Sequence, residues 1–102
     1  MEIKTAATAG TLESSDALIS VEPNSKNGIE IELNSSVKKQ YGKQIKKVII
    51  ETLNSLGVKN VTVHVDDKGA LDCVIRARLQ TAIIRAAKAK FNWEEDDAKC
   101  IN

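Results

Sequence analysis

The stretch Ile29-Glu30-Ile31-Glu32-Leu33-Asn34-Ser35-Ser36-Val37 decides the architecture. Its first five residues alternate strictly, with Ile29, Ile31 and Leu33 on one side and Glu30 and Glu32 on the other. That is the pattern of a strand with one dry and one wet face. Asn34, Ser35 and Ser36 then offer side-chain oxygens that can accept the free N–H groups of a helix start. Val37, Tyr41, Ile45, Val48, Ile49, Leu53 and Leu56 follow at steps of four, four, three, one, four and three, one apolar helical stripe. Gly57 stands where a residue of positive φ would end the helix.

Working outward, Val61, Val63 and Val65 alternate with Thr62, His64 and Asp66, a second strand. Asp66-Asp67-Lys68-Gly69 is a turn. Leu71, Ile75, Leu79, Ala82, Ile83 and Ala86 share one face of a second helix, begun near Asp67 or Asp72. Upstream, Ala17–Glu22 is strand-like, and residues 23–28 are a loop of breakers (Pro, Asn, Ser, Lys, Asn, Gly). The runs at 17–22 and 29–33 read as an antiparallel hairpin. The order is β-β-α-β-α, with a further short strand possible at residues 9–13. The fold class is α+β: a small, mostly antiparallel sheet with two helices on one face. If residues 9–13 pair with 16–22, Ser14 and Ser15 sit at a hairpin tip.

The chain has 102 residues, enough for one domain, with 1–8 and 91–102 as loose tails. Apolar residues make up 42%, which permits a modest core. Fifteen Lys and Arg against 14 Asp and Glu leave a net charge of +1, with one residue each of Trp, Tyr and Phe. That balance argues against a nucleic-acid binder, which needs a basic face and stacking platforms. No run approaches the roughly 20 apolar residues of a membrane span. No secretory signal is visible, and two cysteines, Cys73 and Cys100, make no disulfide framework or zinc site. A cytoplasmic protein fits best.

Catalytic equipment is scarce. His64 is the only histidine, and no triad order, Cys-x-x-Cys, His-Glu-x-x-His or phosphate-binding glycine motif occurs. His64 on an outer strand face reads as structural. Lys39, Lys43, Lys46 and Lys47 share an arc of the first helix, a solvated face or a surface for an acidic partner. Arg76, Arg78 and Arg85 are similar, with Arg78 and Arg85 flanking the apolar side. Cys73 reads as a small buried hydrophobe, and Glu94 to Asp97 as a solubilising run. Ser14 beside Ser15 and Asp16 reads, on spacing alone, as a plain turn serine or an exposed attachment point.

Gly10-Thr-Leu-Glu-Ser-Ser-Asp16 and Val65-Asp-Asp-Lys-Gly-Ala-Leu-Asp-Cys-Val-Ile-Arg-Ala-Arg-Leu79 are the two most distinctive stretches. Asn34-Ser-Ser-Val-Lys-Lys-Gln-Tyr-Gly42 lies between them. Together they resemble the acyl carrier protein of citrate lyase, its gamma subunit, over about residues 9–87. The resemblance implies a covalent prosthetic group, 2′-(5″-phosphoribosyl)-3′-dephospho-CoA, joined by a phosphodiester to Ser14. Ser15 stands where a small residue such as glycine would suit the family pattern, and it is the alternative attachment point. The implied role is non-catalytic. The arm's thiol carries acetyl and citryl thioesters while the citrate lyase alpha subunit exchanges acetate for citrate and the beta subunit releases oxaloacetate. The implied partners are those two subunits, the transferase that installs the group and the acetate ligase that acylates its thiol. Neither nucleic acid nor membrane is among them. Leu12, Glu13 and Asp16 would be read by the transferase. Two rival classes stand beside this one: an unmodified structural subunit, and a small RNA-binding α+β module.

Overall fold

A computed structural model describes residues 1–35 and 38–87, with backbone alone at 38 and 39. Ser36, Val37, the Lys39 side chain, the acidic run 94–97 and Cys100 lie outside the described residues. The elements run β1 (Ala7–Gly10), β2 (Ala17–Glu22), β3 (Ile29–Ser35), α1 (Lys38–Ser55), β4 (Val61–Asp67) and α2 (Asp72–Ala87). The fold is α+β, a four-stranded mixed sheet with both helices on one face.

The sheet order is β1-β2-β4-β3. The β2–β3 hairpin expected from the alternating runs is therefore not formed. β4 inserts between them, antiparallel to β2 (Ile19 opposite Val65) and parallel to β3 (Leu33 opposite Val65). β3, α1 and β4 form a crossover unit, the connection that parallel pairing demands. Residues 23–28 cross over the end of the intervening strand and clip onto the entry of β4. Gly28 N–H donates to Asn60 Oδ1 at 2.9 Å, and Val61 N–H donates to the Gly28 carbonyl at 3.1 Å. A six-residue loop suits either topology. What places β4 in the centre is its content: Val61, Val63 and Val65 are at most 1% exposed, with Thr62 also buried.

One face of the sheet and one stripe of each helix make the core. Ala17, Ile19, Val21 and the three β4 valines meet Ile45, Ile49 and Leu53 of α1 and Ile75, Leu79 and Ile83 of α2. Removing one of these large side chains costs about 2–5 kcal/mol. α1 ends as its sequence requires: Val58 N–H reaches the Leu53 carbonyl and Gly57 N–H the Asn54 carbonyl, with Gly57 at φ +70°. These two bonds are the Schellman arrangement.

Four expectations are corrected here. The extra strand occupies 7–10 and not 9–13, because Gly10 turns the chain out of the ladder. The first residues are docked: Ile3 is in the core, and the N–H groups of Lys4 and Thr5 donate to the Ala86 carbonyl of α2. Leu71 lies just before α2 and is 70% exposed, and Tyr41 in the first turn of α1 is 55% exposed. α2 starts late because Asp67, fully buried, spends its carboxylate on closing the preceding turn. It accepts from Ala70 N–H at 2.9 Å and Ser35 Oγ at 2.8 Å. Asp72 instead stands in the first turn, where a carboxylate favours the helix dipole. Finally, Cys73 is exposed in that first turn, not buried.

Candidate functional site: a braced hairpin tip

β1 and β2 pair antiparallel from Ala7 opposite Val21 to Gly10 opposite Leu18. Residues 11–16 are thus the tip, wider than pairing of 9–13 with 16–22 would leave, with Ser14 and Ser15 within it. Gly10 sets its geometry. It sits at φ +99°, and a Cβ there would fall 1.8 Å from the Ala17 carbonyl oxygen and 3.3 Å from Arg78 Cδ. No other residue fits that approach.

The tip turns at residues 13–16, where Asp16 N–H donates to the Glu13 carbonyl at 3.1 Å. Ser15, third in this turn, has φ +64°, the only positive φ at a described non-glycine residue. This is the type II position that glycine fills most easily. Ser14 occupies the preceding corner and is exposed, as are Leu12, Glu13 and Ser15.

Asp16 braces the turn from below. Its carboxylate accepts Thr11 Oγ1 at 2.6 Å, Ala17 N–H at 2.8 Å, and Arg78 Nε and Nη2 at 2.9 Å each. The Arg78 pair is a two-pronged match of guanidinium to carboxylate. Arg78, with Thr11 and the Ala17 amide, holds the Asp16 carboxyl well below the usual carboxylate range. The same contact raises Arg78. Thr11 Oγ1 also accepts from Glu13 N–H, so both limbs of the tip are tied. Ser15 N–H donates to the Lys68 carbonyl and Lys68 N–H to the Asp16 carbonyl, both at 2.9 Å. These bonds carry the β2–β4 ladder beyond Ala17. A second arginine of α2, Arg85, donates to the Thr8 carbonyl on β1. The tip is therefore rigid at its base and open above, with Ser14 at the summit.

Of the two arginines read as core-edge cover, Arg78 thus holds the tip and Arg85 the strand leading into it, and Asp16, expected to face a partner, is turned inward with a side chain 14% exposed. The partnership spans 62 residues, and no local signal in one sequence announces it. Lys43, Lys46 and Lys47 are exposed on α1, with Lys47 4.0 Å from Glu51. They do not come together with the tip in any hydrogen bond or ion pair among the described residues.

His64 stands on the sheet face away from the helices. Its Nε2 is 3.2 Å from Glu22 Oε1 and its Nδ1 2.8 Å from Glu32 Oε2. A neutral imidazole has one N–H, so only the imidazolium can donate to both carboxylates. The hydrogen bond to Glu22, with added help from Glu32, raises its pKa above the ordinary value. The histidine clasps three adjacent strands. Glu22, Glu30, Glu32 and Asp66 make this open face acidic, the wrong sign for a phosphate backbone. Among the described residues no helix is long and apolar enough to cross a membrane, and no group of three His, Cys, Asp or Glu side chains could hold a metal ion.

Comparison with known proteins bears on the fold and the family. The family model described as malonate decarboxylase delta subunit matches residues 4–86. In the solved Pseudomonas malonate decarboxylase hetero-tetramer in complex with malonate, one chain shares the fold. The TM-score is 0.68 at 20% identity, over 82% of this chain and 86% of that one. The fold and the matched family define the class: a small α+β acyl carrier protein. The sequence relatives narrow it. A citrate lyase acyl carrier protein from Clostridium perfringens is 56% identical over 94 residues, 91% of this chain and 93% of its own. One from Streptococcus mutans is 54% identical over 99 residues, 96% of this chain and 97% of its own. The chain belongs to the citrate lyase acyl carrier protein family.

Proposed function

We propose that this chain is the acyl carrier subunit of citrate lyase and that Ser14 is where its prosthetic group is joined. The observation that carries the assignment of the serine is the tip itself. Ser14 is exposed at the summit of a turn whose base is fixed by Asp16 and Arg78. Its hydroxyl makes no hydrogen bond among the described residues, so a phosphodiester formed there displaces no native contact. The charge of that phosphodiester stays in water at an exposed corner, without the penalty of burial. Ser15, the alternative, has its amide tied to Lys68 and its backbone in the strained left-handed region.

The group proposed is 2′-(5″-phosphoribosyl)-3′-dephospho-CoA, whose thiol supplies the acyl-carrying chemistry. The chain's own residues supply a fixed anchor. Asp16 and Arg78 keep the attachment point at a defined place on the protein surface, so the mobility needed to visit two active sites lies in the arm. A tether of this kind turns encounters into intramolecular events at high effective concentration. The partners in this reading are the citrate lyase alpha and beta subunits, the installing transferase and the acetate ligase. The likeness of fold to a chain of the malonate decarboxylase hetero-tetramer supports work within a multi-subunit assembly. Identities above 50% to citrate lyase carriers favour acetyl and citryl over malonyl as the cargo.

Loading the unmodified protein with the transferase and the activated prosthetic group tests the assignment. Intact mass is expected to rise for the parent and for Ser15→Ala, and to stay unchanged for Ser14→Ala. Loading of Ser14→Ala with loss of loading in Ser15→Ala would move the site to Ser15. No mass gain in any of the three would leave the unmodified structural subunit as the better reading.

A further inference from the structure

A cleft of about 590 Å3 opens between the first turns of α1 and the β4–α2 turn. Tyr41, Gln44 and Ile45 line one side, and Ala70, Leu71 and Cys73 the other. Its size falls within the roughly 300–1,000 Å3 of small-molecule sites. Two of the chain's exposed large apolar side chains, Tyr41 at 55% and Leu71 at 70%, stand in this one cleft. Both lie on the apolar helical periods of the sequence, yet both stand exposed among the described residues. The Gln44 carboxamide donates to Asp72 at 3.0 Å, which leaves its oxygen and the Tyr41 hydroxyl as hydrogen-bonding groups in the lining.

The cleft adjoins the tip. Ser15 N–H donates to the Lys68 carbonyl, and the next residue, Gly69, belongs to the cleft lining. A group esterified to Ser14 therefore leaves the protein beside one rim of this recess. We infer that the cleft is a resting seat for the distal, pantetheine-like part of that group. The seat deepens the Ser14 reading and rests on it. The occupant has the chemistry the lining asks for, a narrow chain of apolar carbons interrupted by amides and ended by a small acyl thioester. Its carbons cover Tyr41 and Leu71, and its amides meet the Gln44 oxygen and the Tyr41 hydroxyl. Seated, the thioester is screened from water between visits to the partner active sites. The seat has to be weak, since the same arm must leave it to react. An open cleft walled by two exposed side chains meets that need.

Cys73 is a built-in reporter, since it is exposed and lines the cleft. In Cys100→Ser protein loaded and then acetylated on the arm thiol, Cys73 is the one remaining free thiol. Its rate of alkylation by iodoacetamide is compared with that of the same protein before loading, with intact mass and peptide mapping reading the loading itself. The seat predicts alkylation about tenfold slower after loading, corresponding to about nine-tenths occupancy. In Leu71→Ser, which alters a side chain the fold does not need, the loaded and unloaded rates should come within twofold. A fully loaded protein whose Cys73 reacts at the unloaded rate overturns the seat and leaves Ser14 as the anchor. Equal slowing in the parent and in Leu71→Ser overturns it as well. A protein that gains no mass at Ser14 under transferase treatment takes down the reading on which the seat rests.

Discussion

Replacing Gly10 with alanine would place a methyl carbon 1.8 Å from the Ala17 carbonyl oxygen. That oxygen belongs to backbone, so the hairpin has to open by an ångström or more at its tip end. Two costs add. Holding an L-residue at φ +99° strains the backbone by about 1–2 kcal/mol. Opening the end of the β1–β2 ladder forfeits hydrogen bonds worth about 1 kcal/mol each. The total is about 3 kcal/mol, which lowers the Tm of a domain of this size by roughly 12–20 °C. Gly69→Ala is the control. Gly69 has φ +88° but nothing within 4 Å of an added Cβ, so only the strain applies. Its loss is about 1 kcal/mol, or roughly 5 °C. Thermal unfolding followed by circular dichroism at neutral pH measures both. Equal losses in the two variants would refute the argument from collision, and an unchanged Gly10→Ala would refute the whole geometry of the tip.

Further outcomes follow from the same contacts. Arg78→Lys keeps the charge but cannot make the two-pronged contact with Asp16, so amide exchange across residues 11–16 should quicken while the core stays protected. Asp16, with its carboxyl held below the ordinary range, contributes stability above the unfolded carboxylate pKa and loses it as pH falls toward the folded value. The Tm gap between parent and Asp16→Asn should therefore be constant above about pH 5 and shrink below pH 4. His64 is raised, the opposite sign: its clasp is fully formed below the unfolded pKa and is lost as pH rises through the folded one. The parent should exceed His64→Asn in unfolding free energy at pH 6 by more than at pH 9, by no more than about 1 kcal/mol because the side chains are well solvated. Glu13→Ala and Leu12→Ala, both at exposed positions, should raise the transferase KM without changing amide exchange at the tip. Unchanged KM in both would mean that the transferase reads other residues.

What could be read in the chain was mostly local. The alternation of Ile29 to Leu33 and of Val61 to Val65, and the three-and-four spacing from Ile45 to Leu53, reflect burial on one side of an element. The structure repeats them almost residue for residue. The strand order was not legible, because alternation states that a strand has one dry face and says nothing about its neighbour. Only the pairing of β4 with both β2 and β3 resolves it. Tyr41 and Leu71 show the matching limit at element ends. The helical period continues past the area the sheet can cover, so side chains on the apolar stripe emerge into a cleft. At the site, the turn-forming residues marked Ser14 as a turn serine, and its place at a hairpin tip depended on a pairing that the sequence left open and that forms at 7–10 instead of 9–13. The brace was hidden, since Asp16 and Arg78 meet only through tertiary structure.

The central claim, that this tip is an attachment point, is tested most directly on protein taken from its native host during growth by citrate fermentation. Peptide mapping by mass spectrometry across residues 10–22 should find the phosphoribosyl-dephospho-CoA mass on Ser14. An unmodified Ser14 in cells with active citrate lyase would contradict the account and leave an unmodified structural subunit in its place.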